Sequence, residues 1–187
     1  LFQHWGIPPE PTLENFKYIL KSGDFGRWIF NSVVVAGLGT LAKVFFNSLA
    51  GYALARIRFP GREFIFWCIL ATMMIPAAVI LIPQYLILNK LGWLDSYYGL
   101  IVPFTVSAFG IFLMRQFFST IPIELEEAAQ IDGLSRFGIF WRIVLPLTKP
   151  ALAAQIIFNF LGDWNNFLWP NLIARSREMY TLTVGLQ

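Results

Sequence analysis

Few side chains in this sequence could do chemistry, and most of them are stranded in apolar surroundings. Asn159, Asp163, Trp164, Asn165, Asn166 and Trp169 bring amides, a carboxylate and two indoles into one short stretch. Amides and carboxylates bond hydroxyls while aromatic faces stack on sugar rings, so this mix suits the path of a polyhydroxylated solute. It equally suits polar glue between packed helices in a membrane. Lys43 is the other stranded charge. An ammonium at the bilayer centre costs about 2.5–3.5 kcal/mol on insertion scales, so Lys43 must snorkel to the interface, meet another subunit, or pair with Asp163, the other charge at similar depth within a span. Catalysis finds poor material here. The single His, His4, precedes the first apolar run, the spans hold one carboxylate, and no convergent His, Cys or acidic set suggests a metal. No G-x-x-x-x-G-K-[ST] phosphate loop is present, so nucleotide chemistry, if any, belongs to a partner.

A second constellation lies between apolar runs. Glu127-Ala128-Ala129 is followed after three residues by Gly133, and nine residues later by Ile143-Val144-Leu145-Pro146. Pro122 suits a first helical turn. Glu124, Glu126 and Glu127 put negative charge near the positive end of that helix, and Gly133 offers a left-handed stop after about three turns. Ala128 and Ala129 leave a flat face that another backbone could approach. Ser135 can cap a second helix whose Phe137, Phe140, Trp141 and Val144 form a buried stripe, ended by Pro146.

The elements that must position these groups are membrane spans. The 187-residue chain is 57% hydrophobic and 13% charged, with mean hydropathy +0.60, against roughly 25% charged residues in an ordinary soluble domain. A crossing helix takes about 20 apolar residues, and runs at 28–54, 64–88, 97–114 and 151–174 qualify. Pro76, Pro83, Pro103 and Pro170 within them predict kinks supported by neighbouring helices. Cys68 sits in the second run and reads as a packed, inert thiol; alone, it can form no intrachain disulfide. A formal charge of +3 without a Lys/Arg cluster argues against nucleic acid.

Arg56, Arg58 and Arg62 crowd the first connection, whereas the second carries only Lys90 and Asp95, so the positive-inside rule places the first in the cytoplasm. The third connection, 115–150, is then cytoplasmic too, and segments 1–27 and 175–187 lie outside. Within the first of these, Leu13, Phe16, Tyr18, Ile19 and Leu20 suggest a helix on the outer surface or a disordered lead. The chain reads as a fragment, since it begins without an initiator Met.

The constellation at 127–146 resembles the EAA loop of bacterial ABC importer permeases, in which it docks the ATPase. Segments 31–61, 73–103, 112–133 and 160–170 extend the resemblance over nearly the whole chain, toward the maltose-type second permease subunit of the carbohydrate-uptake branch. Asn166, where many relatives are acidic, and Lys43, at a usually uncharged position, depart from the pattern. The resemblance implies an all-α, multi-span bundle of the type I ABC importer permease kind, with the first and last of about six spans absent, in a bacterial or archaeal cytoplasmic membrane. It implies coupling through Glu124, Glu127, Ala128, Ala129, Asp132, Gly133, Leu145 and Pro146. Implied partners are an ABC ATPase dimer that holds ATP and Mg, a second permease subunit and an extracytoplasmic sugar-binding protein. A passive channel or a non-sugar importer remains the alternative.

Overall fold

A central helix whose polarity is inverted relative to that of a soluble protein organises the chain. The computed structural model describes Glu14, Lys17 and residues 23–187, and among these every regular element is helical. The residues on which the expected N-terminal surface helix rests lie outside the described residues, as does His4. Helix α1 (Phe25–Arg56) buries Ser32, Ala36, Gly39, Thr40, Lys43, Asn47, Ser48 and Gly51, and turns Phe30, Val33, Leu38, Leu41, Phe45 and Phe46 outward. Small and polar residues face protein because hydrocarbon outside competes for the large apolar ones and close packing holds membrane helices together.

Around α1 stand α2 (Arg62–Thr72), α3 (Ala77–Lys90), α4 (Tyr97–Ile101) running into a 3-10 turn (Val102–Phe104), and α5 (Ala108–Thr120). They are followed by α6 (Glu124–Ile131), α7 (Arg136–Leu147), α8 (Lys149–Trp164), α9 (Leu168–Ile173) and α10 (Leu182–Gly185). Serine hydroxyls start three of these helices: Ser96, Ser107 and Ser135 accept from the amides of Gly99, Gly110 and Gly138 at 3.3, 2.9 and 3.2 Å.

The spans are less regular than the apolar runs predict. Among the described residues α1 alone is long and apolar enough to cross a bilayer; α2 with α3, the α4 segment with α5, and α7 with α8 reach that length as pairs bent by 97°, 45° and 79°. The second run therefore breaks at Met73–Pro76, where Pro76, lacking an N–H, caps α3. Pro83 stands inside uninterrupted helix, Pro103 lies in the 3-10 turn, and Pro170 lies within α9. The third run continues to Thr120 rather than 114. Arg115 stays with the bundle, its guanidinium 3.7 Å from the Phe66 ring centre and 2.7 Å from Glu63. The fourth run breaks at 165–167, between α8 and α9. Cys68 is exposed rather than packed: it lies among the outward-facing Phe64, Ile65 and Trp67, and an apolar run does not reveal whether its faces meet protein or lipid.

Packing is strongest among α1, α5 and α8. Gly51 makes this possible, because a Cβ there would lie 2.7 Å from Met114 Cβ. A buried amide seam joins the three helices: Asn47 Nδ2 donates to Gln155 Oε1 (3.4 Å), Asn47 Oδ1 accepts from the Ser107 amide (3.0 Å), and Gln155 Nε2 donates to Gly110 O (3.0 Å). At one end of the bundle Tyr52, Met114, Phe118, Ile139, Phe140 and Val144 form a core; at the other, Val35, Leu88, Leu100, Trp169 and Ile173 do. Segment 175–187 folds back along α1, where Asn31 Nδ2 donates to Glu178 O and Tyr180 O, both at 2.7 Å.

Candidate functional site

The 121–135 loop presents a short polar helix from the first of these cores. In α6, Glu124, Glu127 and Ala128 are exposed, as are Asp132 and Gly133 beyond it. Gly133 has φ +84°, the left-handed stop its position predicts. Pro122 falls outside the first turn, because α6 begins at Glu124 with Ile123 as N-cap. The flat Ala128-Ala129 face is divided: Ala128 is free, whereas Ala129 joins the core. The intervening turn of 3.6 residues points adjacent positions 100° apart.

Glu126 is the residue that sequence reasoning missed. It is 1% exposed, its Oε1 lies 2.8 Å from Arg56 Nε, and its Oε2 accepts from Tyr52 Oη at 3.1 Å. Arg56 also donates to Ile121 O at the end of α5. A signal was available: Glu126 shares a helix face with Ala129, and Tyr52 and Arg56 share one on α1, at i,i+3 and i,i+4 spacing.

The stripe expected on α7 is also rearranged. Phe140 and Val144 are buried, but Phe137 and Trp141 are 61% and 41% exposed, and Ile139 takes the inward place. The cause is a π-helical turn at Phe140–Val144. One extra residue per turn brings Ile139 and Val144, five apart, to the same side. Helix continues through Pro146 to Leu147 before the 79° bend. Leu145 packs against the core that holds Ala129, and Pro146 is exposed.

In the spans, Lys43 Nζ meets Asp163 Oδ1 at 2.5 Å. The pair borders a small cavity with Gly39, Phe104, Asn166 and Trp169. Asp163 Oδ2 is buried without a hydrogen-bond partner. The other polar candidates scatter. Asn159 is half-buried, Trp164 stacks on Phe160 with ring centres 5.7 Å apart, and Asn165 is exposed, its Nδ2 donating to Leu161 O at 2.8 Å to close its own helix. Asn166 O accepts from Thr183 Oγ1 at 2.9 Å. Trp169 is 5% exposed, and its indole N–H donates to Gly99 O at 3.0 Å, so it acts as packing. At that end Asp95 accepts from the amides of Arg175 (2.8 Å) and Ser176 (3.0 Å); burial opposes its charge, but these amide bonds prevail and hold the carboxyl below its usual range.

Residues 47–186 match the family described as binding-protein-dependent transport system inner membrane components. The chain belongs to that family. Its matched region carries the polar loop, the amide seam and Asp163. Among curated members of similar sequence, the arabinooligosaccharides transport system permease of Bacillus subtilis is 42% identical over 96% of this chain and 64% of its own length. The sn-glycerol-3-phosphate transport system permease of Yersinia enterocolitica is 41% identical over 97% of this chain and 66% of its own length. The chain thus spans just under two thirds of these relatives. A crystal structure of a bacterial ABC transporter involved in import of the acidic polysaccharide alginate contains a chain of the same fold, with TM-score 0.89 and 30% identity, covering 98% of this chain and 65% of that one.

Proposed function

We propose that this family member is a multi-pass permease subunit of an ATP-driven importer that carries a carbohydrate across the cytoplasmic membrane. The observation that carries the reading is the exposed polar helix α6, turned by a left-handed Gly133 and held to the bundle by a buried ion pair. A plain connector has no reason to bury a carboxylate in order to fix a helix whose outward residues are Glu124, Glu127, Ala128 and Asp132. These residues, with Gly133 and the Leu145-Pro146 end of α7, are the contact surface for an ABC ATPase dimer, which binds ATP and Mg. A second permease subunit and an extracytoplasmic sugar-binding protein complete the complex in the bilayer. The arabinooligosaccharide, glycerol phosphate and alginate named for relatives support a hydroxyl-rich solute. Asn159, Asp163, Asn165 and Asn166 are the groups of this chain proposed along its path.

ATP must bind the conformations with different affinity, since a ligand equally bound by both shifts nothing. Reconstituting the complete complex in liposomes tests the reading, with arabinotriose and sn-glycerol 3-phosphate as probes. Uptake that needs ATP, together with hydrolysis stimulated by loaded binding protein, is the expected result. Flux down a gradient without nucleotide would instead make the chain part of a channel, and ATP-driven uptake of the glycerol phosphate alone would remove the saccharide assignment.

A further inference from the structure

Arg56 is the last residue of α1, yet its guanidinium touches two other elements. It lies 2.8 Å from Glu126 Oε1 on α6 and donates to Ile121 O at the end of α5. Tyr52, one turn earlier on α1, donates its hydroxyl to the other oxygen of Glu126 at 3.1 Å, and its ring packs on Phe140 of α7 at 5.2 Å and on Phe118 of α5 at 5.9 Å. The Glu126 and Arg56 side chains are 1% and 10% exposed. Among the described residues, the polar ties from α6 to the spans all pass through Glu126.

We infer that Arg56, Glu126 and Tyr52 are positioning residues forming the joint that makes α6 move as one body with α1 and α5. The inference rests on the proposed coupling of α6 to an ATPase. Glu124 and Glu127, on the outer side of the same short helix, take the push; Glu126 passes it to the spans. A hinge of solvated side chains would let α6 slide. Here sliding separates two buried charges, each of which would be left without its counterion in a medium that solvates it poorly, so displacement of α6 must carry α1 along. The carbonyl of Ile121 extends the same guanidinium to α5, and α5 is seamed to α8 through Gly110 and Gln155. Motion at the loop thus reaches the helix that bears Asp163.

The test compares Glu126→Gln, Arg56→Gln, the double variant and Tyr52→Phe in the complete liposome-reconstituted complex, with arabinotriose as probe. The reading is the number of sugars taken up per ATP hydrolysed, with ATPase retention measured alongside. The single charge variants are expected to lower that ratio at least about fivefold while stimulated hydrolysis persists. The double variant, which leaves no unpaired charge, recovers part of it, and Tyr52→Phe lowers it least. A ratio equal to wild type in all four overturns the joint. So does a parallel fall of uptake, hydrolysis and assembly with the ratio unchanged, since that is a structural role only. If wild-type complex shows no ATP-dependent uptake, the proposed function falls first and the joint with it.

Discussion

Lys43 Nζ lies 2.5 Å from Asp163 Oδ1, tying the middle of α1 to the last turn of α8 across the bundle. Lys43 stands on one face of α1 with Gly39 and Asn47, four residues to either side. Gly39 leaves room for the carboxylate, since a Cβ there would sit 3.0 Å from Asp163 Oδ2, and Asn47 bonds Gln155 further down α8. The pair therefore heads a polar seam, and this is why a lysine is tolerated at that depth.

Breaking the pair from one side should cost more than removing it. Lys43→Met or Asp163→Asn leaves an uncompensated buried group, with an expected loss of about 3–5 kcal/mol for a missing partner. The double variant should be distinctly more stable than the sum of the single changes. Thermal inactivation of the purified complex in detergent measures this; additive losses would show that the two side chains do not depend on each other.

Gly133 is the conformational weak point of the loop. It has φ +84°, and a Cβ there would meet nothing within 4 Å, so the objection to a side chain is backbone strain rather than space. Gly133→Val should cost on the order of 1–3 kcal/mol and misplace α6, so ATPase retention on purification should fall while the spans stay folded. Glu127→Lys, on an exposed position, should weaken retention by reversing charge alone. Wild-type retention and transport in both would reduce the loop to a connector.

Asp95 gives the end opposite α6 a pH dependence. Its carboxyl is held below the ordinary carboxylate range, so its stabilisation is complete above that range and is lost as pH falls through the lowered folded-state value. Asp95→Asn keeps an acceptor for Arg175 and Ser176 and suits the positive φ of 54° at this position. It should cost about 0.5–1 kcal/mol near neutrality, solvent contact keeping the effect small. It should also flatten the acid limb of stability measured below pH 4, and an unchanged acid limb would mean that Asp95 contributes nothing there.

Orientation is open to direct chemistry. In a Cys68→Ser background, single cysteines at Lys90 and Gln130, both exposed, should react with an impermeant thiol reagent from opposite sides of the membrane, Gln130 from the cytoplasm. Labelling of both from one side would overturn the topology.

The membrane class, the two helices of the loop and the left turn at Gly133 were all legible in the sequence, because each rests on local physics. Apolar run length sets a span, a serine three residues before a glycine amide caps a helix, and glycine is the residue that takes a left-handed turn freely. The Lys43–Asp163 pairing was legible as one of several options, since expelling charge from hydrocarbon narrows its partners without choosing among them.

Tertiary structure decided the rest. Glu126 looks like Glu124 and Glu127 in sequence; it became a buried anchor only because α1 ends with Arg56 beneath it. A π turn, which no 3.6-residue periodicity foresees, moved Ile139 inward and left Phe137 and Trp141 outside. Trp169, whose sequence suited a sugar-stacking face and helix packing alike, takes a buried place where the Gly99 carbonyl accepts its indole N–H. The sequence by itself determined that the chain is membrane-embedded, with a polar loop between apolar helices, because burial in lipid and helix capping depend on neighbours within a few residues. Which face of each helix meets protein, and which carboxylate meets which cation, depended on pairs far apart in sequence, Arg56 with Glu126 and Lys43 with Asp163, and only folding brought those together.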